Sequence, residues 1–208
     1  MTRLLFVRHG QAEHNLRQAE IVGGRSNHVP LTPQGQDEAR MFGMWLKRTE
    51  LVPAIVAHSG AVRTQQTCTI ALAAAEIDIE PHCDPRFQEM SQGEAEGRLR
   101  SDVYTPEVIA RLAREGLHGK HAGGESLAEV QQRMHAATLE LCDQLPTAEG
   151  TILVFSHGLA IRALAGALLG LTRLGILTHT TPNVSVTAID QTDTGLSVAY
   201  IGKTVIEE

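Results

Sequence analysis

Short apolar runs alternate with helix-like segments along most of this chain, and this alternation constrains its fold more than any other feature. The runs are rich in β-branched residues, as buried strands are, and they read "LLFV" (4–7), "AIVAHS" (54–59), "IDIE" (77–80) and "TILVFS" (151–156). Segments with helical spacing lie between them. Strands separated by helices predict a three-layer α/β fold, with a mostly parallel sheet and helices on both of its faces.

Local signals predict where several elements begin. Thr32 and Thr105 each stand directly before a proline, which is a typical helix start, and Ser126 with Glu129 forms a capping-box pattern. Near the end of the chain, "VSVTAID" (184–190) and "LSVAYIG" (196–202) flank "QTDTG". This arrangement predicts a hairpin and hence an antiparallel edge strand beside the parallel sheet.

Composition limits the size and the partners of the protein. With 208 residues and 42% hydrophobic residues, the chain can bury one substantial core, so we expect a single domain over 1–208. The formal net charge of −6 argues against a nucleic-acid-binding protein. The three cysteines are widely separated, and they are expected to be reduced thiols of a cytoplasmic protein.

No segment is expected to enter a membrane. The N-terminal apolar run is too short for a signal-peptide core. The most hydrophobic stretch, residues 159–178, is interrupted by Arg162 and Arg173, and a membrane span would place at least one of them deep in the bilayer at high cost. A buried helix is the better interpretation.

Chemistry-bearing residues follow two of the predicted strands. Arg-His-Gly (8–10) and Ser-His-Gly (156–158) both come where an apolar run ends. Ligands of open α/β sheets bind beyond the carboxyl ends of the strands, and glycines let the backbone approach a ligand there. Arg63 follows a third strand, and Glu89 lies in a glycine-interrupted loop. The pattern predicts one crevice with two histidines, arginines and an acid.

In chain order these motifs resemble those of the histidine phosphatase superfamily, which has the phosphoglycerate-mutase-like fold. The resemblance is carried by R-H-G with Gln11 and Asn15, "PLTPQG" (30–35), Ser59 with Arg63, Gln66 and Thr67, Glu89 with Gly93, Glu96 and Gly97, "GGES" (123–126), Ser156-His157-Gly158, and Pro182-Asn183. It covers most of the chain, and the order of the motifs makes it far more specific than any single tripeptide.

The resemblance implies a metal-independent phosphomonoester hydrolase with a phosphohistidine intermediate and no cofactor. His9 would be the nucleophile, Arg8 and Arg63 would clamp the phosphoryl oxygens, and Glu89 would be the general acid. His157 would add a third positive donor, because the negative charge of the bound dianion would keep it protonated. Further residues expected to bind substrate are Gln11, Asn15 and Gly158. A cap around 98–124 would cover the leaving group, and a homodimer is compatible with the family.

Several functions remain open within this resemblance. Glu89 is followed by Met90, Ser91 and Gln92, without the cations that would retain a glycerate, so a phosphatase of a small phosphorylated metabolite is favoured. The alternatives are a phosphoglycerate mutase and a phosphohistidine-protein phosphatase. A different class of function is a catalytically silent module that binds a phosphorylated ligand. Such a module would be expected to lack the nucleophile, the second histidine or the acid, and all three are present.

Overall fold

The computed structural model describes residues 1–145 and 150–206, which form a six-stranded mixed sheet enclosed by helices. The strands are β1 (Thr2–Arg8), β2 (Ile55–His58), β3 (His82–Cys83), β4 (Gly150–Ser156), β5 (Val186–Thr192) and β6 (Gly195–Lys203). Their order across the sheet is β3-β2-β4-β1-β5-β6. The first four strands in this order, β3, β2, β4 and β1, run parallel to one another. Strand β5 is antiparallel to both β1 and β6.

Eight α-helices connect the described strands. They are α1 (Glu13–Leu16), α2 (Pro33–Arg48), α3 (Val62–Ala75), α4 (Arg100–Val103), α5 (Pro106–Glu115), α6 (Leu127–Asp143), α7 (Gly158–Leu168) and α8 (Arg173–Thr178). Three of the starts are those that local signals predict. The side chains of Thr32, Thr105 and Ser126 each accept a hydrogen bond from the backbone N–H three residues on, which satisfies one of the free donors of the first turn.

The sheet separates two apolar layers. Leu4 and Phe6 point into one core together with α6 and α7, while Leu5 and Val7 point into the other with α2 and α3. All four side chains are at most 2% exposed. Because successive side chains of a strand face opposite sides, a strand that is apolar at every position must be covered on both faces. The predicted three-layer α/β architecture is therefore confirmed.

The predicted hairpin and antiparallel edge are confirmed, because β5 is antiparallel to both β1 and β6. One detail of the predicted sheet differs from the structure. The predicted strand at 77–80 is wrong, because the strand that pairs with β2 at this edge of the sheet is His82–Cys83. Ile77 and Ile79 pack, half-buried, against the core beside α3. The alternation of apolar and polar residues at 77–80 therefore comes from a loop with one side packed against the core. It does not come from a strand that pairs in the sheet.

The hydrophobic stretch 159–178 forms two helices, whereas the sequence predicts a single buried helix. Gly170 has a φ of 65°, a left-handed conformation that ends α7, and the Thr172 side chain accepts from Gly175 N to begin α8. The two helices stay in contact because Ile176 packs where Gly166 has no side chain. Within residues 1–145 and 150–206, no helix is long and apolar enough to cross a membrane.

The segment predicted as a cap, 98–124, contains α4 and α5. It is joined to the body by a short antiparallel contact, in which Val22 N donates to Arg98 O at 2.9 Å and Arg100 N donates to Glu20 O at 2.7 Å. Val22 and Val103 share a small apolar cluster of their own with Ala95. This arrangement holds α4 beside the carboxyl ends of the parallel strands.

Candidate active site

A cavity of about 520 Å³ opens at the carboxyl end of the parallel sheet. It lies there because β1, β2 and β4 run in the same direction, so the residues that follow them meet at one edge. Of the residues predicted from the sequence, those that line it are Arg8, His9, Asn15, Arg63, Glu89 and Gly158. Residues far apart in the chain therefore meet at one site.

His9 follows β1 and is 2% exposed. Its Nδ1 lies 2.7 Å from the carbonyl oxygen of Gly10, and because a carbonyl can only accept, Nδ1 carries the proton. Burial, followed by the positive charges of Arg63 and Arg8, lowers the pKa of His9 well below its ordinary value. The ring is therefore neutral, and Nε2 has a free lone pair, which is the state a nucleophile needs.

Two arginines beside His9 carry buried donors without partners. Arg8 Nη1 donates to Thr181 O at 2.8 Å, and Arg63 donates from Nη1 to Ser26 O and from Nη2 to Arg25 O, both at 2.9 Å. The Nε of each arginine is buried, and it has no hydrogen-bond partner among the described residues. Burial lowers the pKa of Arg63 to about 10. Unpaired buried cationic donors are costly, and an anion would satisfy them.

Gly158 keeps the space beside one of these donors open. It is the first residue of α7, directly after His157. A Cβ at this position would lie 3.4 Å from Arg8 Nε and 3.2 Å from Thr181 Oγ1. A side chain at residue 158 would therefore crowd the place from which an oxyanion could accept the Arg8 Nε proton.

His157 is completely buried behind this site and does not line the cavity. Its ring centroid lies 5.2 Å from that of His9. Arg63 Nη2 donates to its Nδ1 at 2.9 Å, so Nδ1 accepts and is unprotonated. Burial, and next the charge of Arg63, lower the pKa of His157 well below its ordinary value. Without a bound anion, His157 is thus neutral, and its protonation in the presence of a phosphoryl dianion stays a prediction.

A chain of hydroxyl groups determines the same tautomer from the other side of the ring. Thr64 Oγ1 donates to Ala61 O at 2.8 Å, which leaves it to accept from Ser59 Oγ at 2.9 Å. The Ser59 hydroxyl in turn accepts from Nε2 of His157 at 2.8 Å. Each group in the chain has one proton to give, so the direction of every bond follows from the carbonyl at its end.

The carboxylate of Glu89 sits at the N-terminus of α7. Its Oε2 accepts from Leu159 N at 3.1 Å, and its Oε1 accepts from Ala160 N at 3.0 Å and Met90 N at 2.8 Å. A helix N-terminus presents free N–H groups and positive dipole ends, which suit a carboxylate. The Glu89 carboxylate is thereby held at the cavity wall, against the first turn of α7, which begins with Gly158.

Arg133 on α6 holds the loop that carries Glu89. Its Nη1 donates to Arg86 O at 2.6 Å and to Gln88 O at 2.7 Å, and its Nη2 donates to Glu89 O at 3.2 Å. The guanidinium is also paired with the Glu125 carboxylate, with Nε 2.8 Å from Oε1. Arg133 has no recognisable signal in the sequence, because its partners are backbone carbonyls 44 to 47 residues away.

Gln11 and Asn15 have different surroundings. Asn15 lines the cavity, and its Oδ1 accepts from Ala12 N at 2.9 Å. Gln11 does not line the cavity, and its side-chain oxygen accepts from Thr32 Oγ1 at 2.8 Å. Gln11 therefore connects the histidine loop to the start of α2, and its role in substrate binding stays a prediction.

Further polar residues line the cavity without having been assigned to the site from the sequence. They are His14, Gln18, Gln92, Arg100, Tyr104, Arg162, His179, Thr180 and Thr181. Burial lowers the pKa of His14 to about 4, so it is neutral near pH 7. The spacing of Arg162, one helical turn after Gly158, was a usable signal. In the described part of the chain, no group of three His, Cys, Asp or Glu side chains could hold a metal ion.

Both the sequence and the fold match known proteins. A sequence profile described as the histidine phosphatase superfamily (branch 1) matches residues 4–204. The chain is 33% identical over 175 residues to the probable phosphoglycerate mutase GpmB of Photorhabdus laumondii, covering 82% of this chain and 76% of that protein. It is 31% identical over 192 residues to the protein of the same name from Salmonella choleraesuis, covering 91% and 85%.

Solved structures share the fold over nearly the whole chain. YhfR of Bacillus stearothermophilus superposes with a TM-score of 0.83 at 25% identity and covers 100% of both chains. Phosphoserine phosphatase of Entamoeba histolytica, in complex with 3-phosphoglyceric acid, superposes with a TM-score of 0.84 at 22% identity and covers 99% of both chains. With the matched profile and the relatives above 30% identity, these results show that the chain belongs to the histidine phosphatase superfamily.

Proposed function

We propose that this protein is a phosphatase that hydrolyses a small phosphorylated metabolite through a phosphohistidine intermediate on His9. The observation that carries the proposal is the pair of unpartnered Nε donors of Arg8 and Arg63, buried in the same pocket as the unprotonated Nε2 of His9. Two fixed cationic donors beside a free lone pair suit phosphoryl transfer to that nitrogen. The cytoplasmic location and the homodimer expected from the sequence stay predictions.

The reaction proceeds in two steps. In the first, the Nε2 lone pair of His9 forms a bond to phosphorus, the bond from phosphorus to the ester oxygen breaks, and Glu89 delivers a proton to that oxygen. In the second, Glu89 takes a proton from water, the water oxygen bonds to phosphorus, and the P–N bond breaks. The products are an alcohol and inorganic phosphate, and His9 regains its lone pair.

The arginines stabilise the charge that spreads over the phosphoryl oxygens in both transition states. Arg8 and Arg63 are already held by the carbonyl groups of Thr181, Ser26 and Arg25, so their reorganisation during the reaction is small. His157 lies next to Arg63 and takes up a proton once the phosphoryl dianion has arrived. This adds positive charge only when the substrate is present.

A phosphoglycerate mutase is the second candidate, and one observation favours it. The residues directly after Glu89 carry no cations, yet Arg100 and Arg162 from other elements line the same cavity. Relatives at 31–33% identity carry the name probable phosphoglycerate mutase. Incubation with 3-phosphoglycerate and a trace of 2,3-bisphosphoglycerate separates the two: a phosphatase releases inorganic phosphate, whereas a mutase accumulates 2-phosphoglycerate.

The experiment that tests the proposed function is trapping of the intermediate. Wild-type protein quenched during turnover of labelled phosphomonoester should carry phosphate that is labile in acid and stable in base, and the His9→Ala variant should carry none. Activity on p-nitrophenyl phosphate should persist in a chelator. Label on a serine or aspartate would overturn the assignment, and a folded wild type without any turnover would indicate a silent phospho-ligand binding module.

A further inference from the structure

Two loops that are far apart in the chain carry parts of the reaction machinery. The clamp loop (24–26) supplies the two backbone carbonyl groups that hold the Arg63 guanidinium. The acid loop (86–92) carries Glu89. The guanidinium and the carboxyl group can act on one substrate only if the two loops keep a fixed separation, because a small displacement of either group removes the productive geometry.

The carboxylate of Glu125, directly before the N-cap residue of α6, contacts both loops. Its Oε2 accepts a hydrogen bond from Ser91 N of the acid loop at 2.8 Å, and its Oε1 lies 3.2 Å from Nη2 of Arg25 in the clamp loop. The same carboxylate accepts from Arg133, with Nε 2.8 Å from Oε1 and Nη2 3.1 Å from Oε2. One side chain therefore binds both loops and also the arginine that holds the backbone carbonyls of the acid loop.

Glu125 is suited to hold other groups and not to react. Its side chain is only 18% exposed, and it does not line the cavity. Burial raises the pKa of Glu125, but the hydrogen bonds from Arg133 and Ser91 N outweigh burial, and the net effect is a lowered pKa. The carboxylate is therefore ionised near pH 7, and charge-assisted contacts of this kind are short and directional.

Glu96 forms a second bridge between the same loops. Its Oε1 accepts from Arg25 N at 3.2 Å, from Gln92 N at 2.9 Å and from Ser91 Oγ at 3.3 Å. A Cβ at Gly24 would clash with this carboxylate, so the close approach requires glycine. Because Glu96 binds the backbone of both loops, we expect them to stay together when only the charge of Glu125 is removed.

We propose that Glu125 is a positioning residue that aligns the phosphoryl-binding guanidinium of Arg63 with the carboxyl group of Glu89. It acts on Arg63 through Arg25, whose carbonyl oxygen accepts from Arg63 Nη2 at 2.9 Å. It acts on Glu89 through Arg133, whose Nη2 donates to Glu89 O at 3.2 Å. The proposal rests on the proposed function for the roles of Arg63 and Glu89, and it adds a residue outside the cavity that fixes their relative position.

Glu125→Gln tests both connections in one variant. The amide oxygen can still accept from Ser91 N, but the side chain no longer carries a charge for Arg25 and Arg133. Calorimetry should show that tungstate, an oxyanion without a leaving group, binds the variant roughly two- to fivefold more weakly, the range of a partly exposed ion pair. The kcat/KM should fall about tenfold more on an alkyl phosphate than on p-nitrophenyl phosphate, because only the alkyl group needs a proton to leave.

Second substitutions separate the two connections. In an Arg25→Met background, Glu125→Gln should no longer weaken tungstate binding, but it should keep its larger loss on the alkyl phosphate. In a Glu89→Gln background the pattern should reverse, with weaker tungstate binding and no further dependence on the leaving group. Glu115→Gln is the matched control, because Glu115 pairs with Arg111 at 2.9 Å in the cap segment and does not line the cavity. It should change neither quantity.

The outcomes distinguish the positioning role from the proposed function. Equal losses on the two esters in proportion to the fall in Tm, unchanged tungstate affinity, or effects of Glu125→Gln that persist in both backgrounds would each overturn the positioning role. Turnover of p-nitrophenyl phosphate by the wild type alongside any of these results would leave the proposed phosphatase intact. A wild type without turnover would refute the phosphatase, and tungstate would then decide alone. A loss of affinity that disappears in the Arg25→Met background would support the positioning of Arg63, and no loss would overturn it.

Discussion

Arg63 donates from Nη2 to Nδ1 of His157 over 2.9 Å, so the second histidine of the site is an acceptor in the ligand-free protein. Both residues are completely buried. A protonated His157 would turn this bond into a contact between two donors, each positively charged. We expect the negative charge of a bound phosphoryl dianion to offset that conflict.

Anion binding is therefore expected to take up a proton. Tungstate at pH 7.5 is a dianion without a proton of its own to exchange, so calorimetry in buffers of different ionisation enthalpy reports the protons bound by the protein. The wild type should take up close to one proton per tungstate, and His157→Gln should take up close to none. Zero uptake by the wild type would mean that His157 stays neutral and serves only to hold Arg63.

Replacement of Glu89 by glutamine should harm poor leaving groups most. An alkyl alkoxide needs a proton to leave, and general acid catalysis contributes roughly 10²–10⁴-fold in such reactions. Nitrophenolate leaves unaided. The kcat/KM of Glu89→Gln should fall more on an alkyl phosphate than on p-nitrophenyl phosphate, by on the order of tenfold, or about 1.4 kcal/mol. Equal losses on both substrates would show that Glu89 orients the site without donating a proton.

Arg133 should act through Glu89, because three of its hydrogen bonds hold the backbone at 86–89. Arg133→Lys keeps the charge but cannot make all of these bonds. It should lower kcat/KM on an alkyl phosphate about tenfold in the wild-type background and hardly at all in the Glu89→Gln background.

A double-mutant cycle with thermal melts separates positioning from general destabilisation. A purely structural role for Arg133 would give the same activity loss in both backgrounds, in proportion to the fall in Tm. The positioning role also predicts that kcat changes more than KM, since Arg133 does not line the cavity.

Acid should destabilise the fold in part through the neutral histidines of the site. In the unfolded chain the pKa of His14 has its ordinary value of 6.5, whereas in the folded protein burial lowers the pKa of His14 to about 4. Between these values the unfolded state binds more protons, so stability falls as pH falls from about 6.5 towards about 4, and it is fully present above that window.

His14→Gln tests this linkage. The denaturation midpoint of the variant should drop less between pH 7 and pH 5 than that of the wild type. The reason is that the variant lacks the His14 ring, which takes up a proton in the unfolded state but not in the folded state over this range. The carboxylates titrate alike in both proteins and cancel in the comparison. An identical drop would show that His14 is protonated in the folded state over this range.

Local features of the chain were sufficient to predict the layers and much of the site. Strands such as Leu4–Val7 are apolar at every position, which requires cover on both faces, and the caps at Thr32 and Ser126 act on N–H groups only three residues away. Two histidines that follow two parallel strands must approach each other, because parallel strands end at one edge. These are properties of neighbours in sequence or of sheet geometry.

Long-range packing decided the rest. Whether Arg162 faces a ligand depends on carbonyls at the end of α8, and whether Arg133 supports Glu89 depends on a loop 44 residues away. The protonation of His157 depends on Arg63, 94 positions earlier in the chain. A side chain that binds distant backbone leaves no periodic signal in its own segment, and an arginine interrupting an apolar helix looks the same whether it meets solvent or a cavity. Only the folded arrangement determines which of these donors are paired and which are left for the substrate.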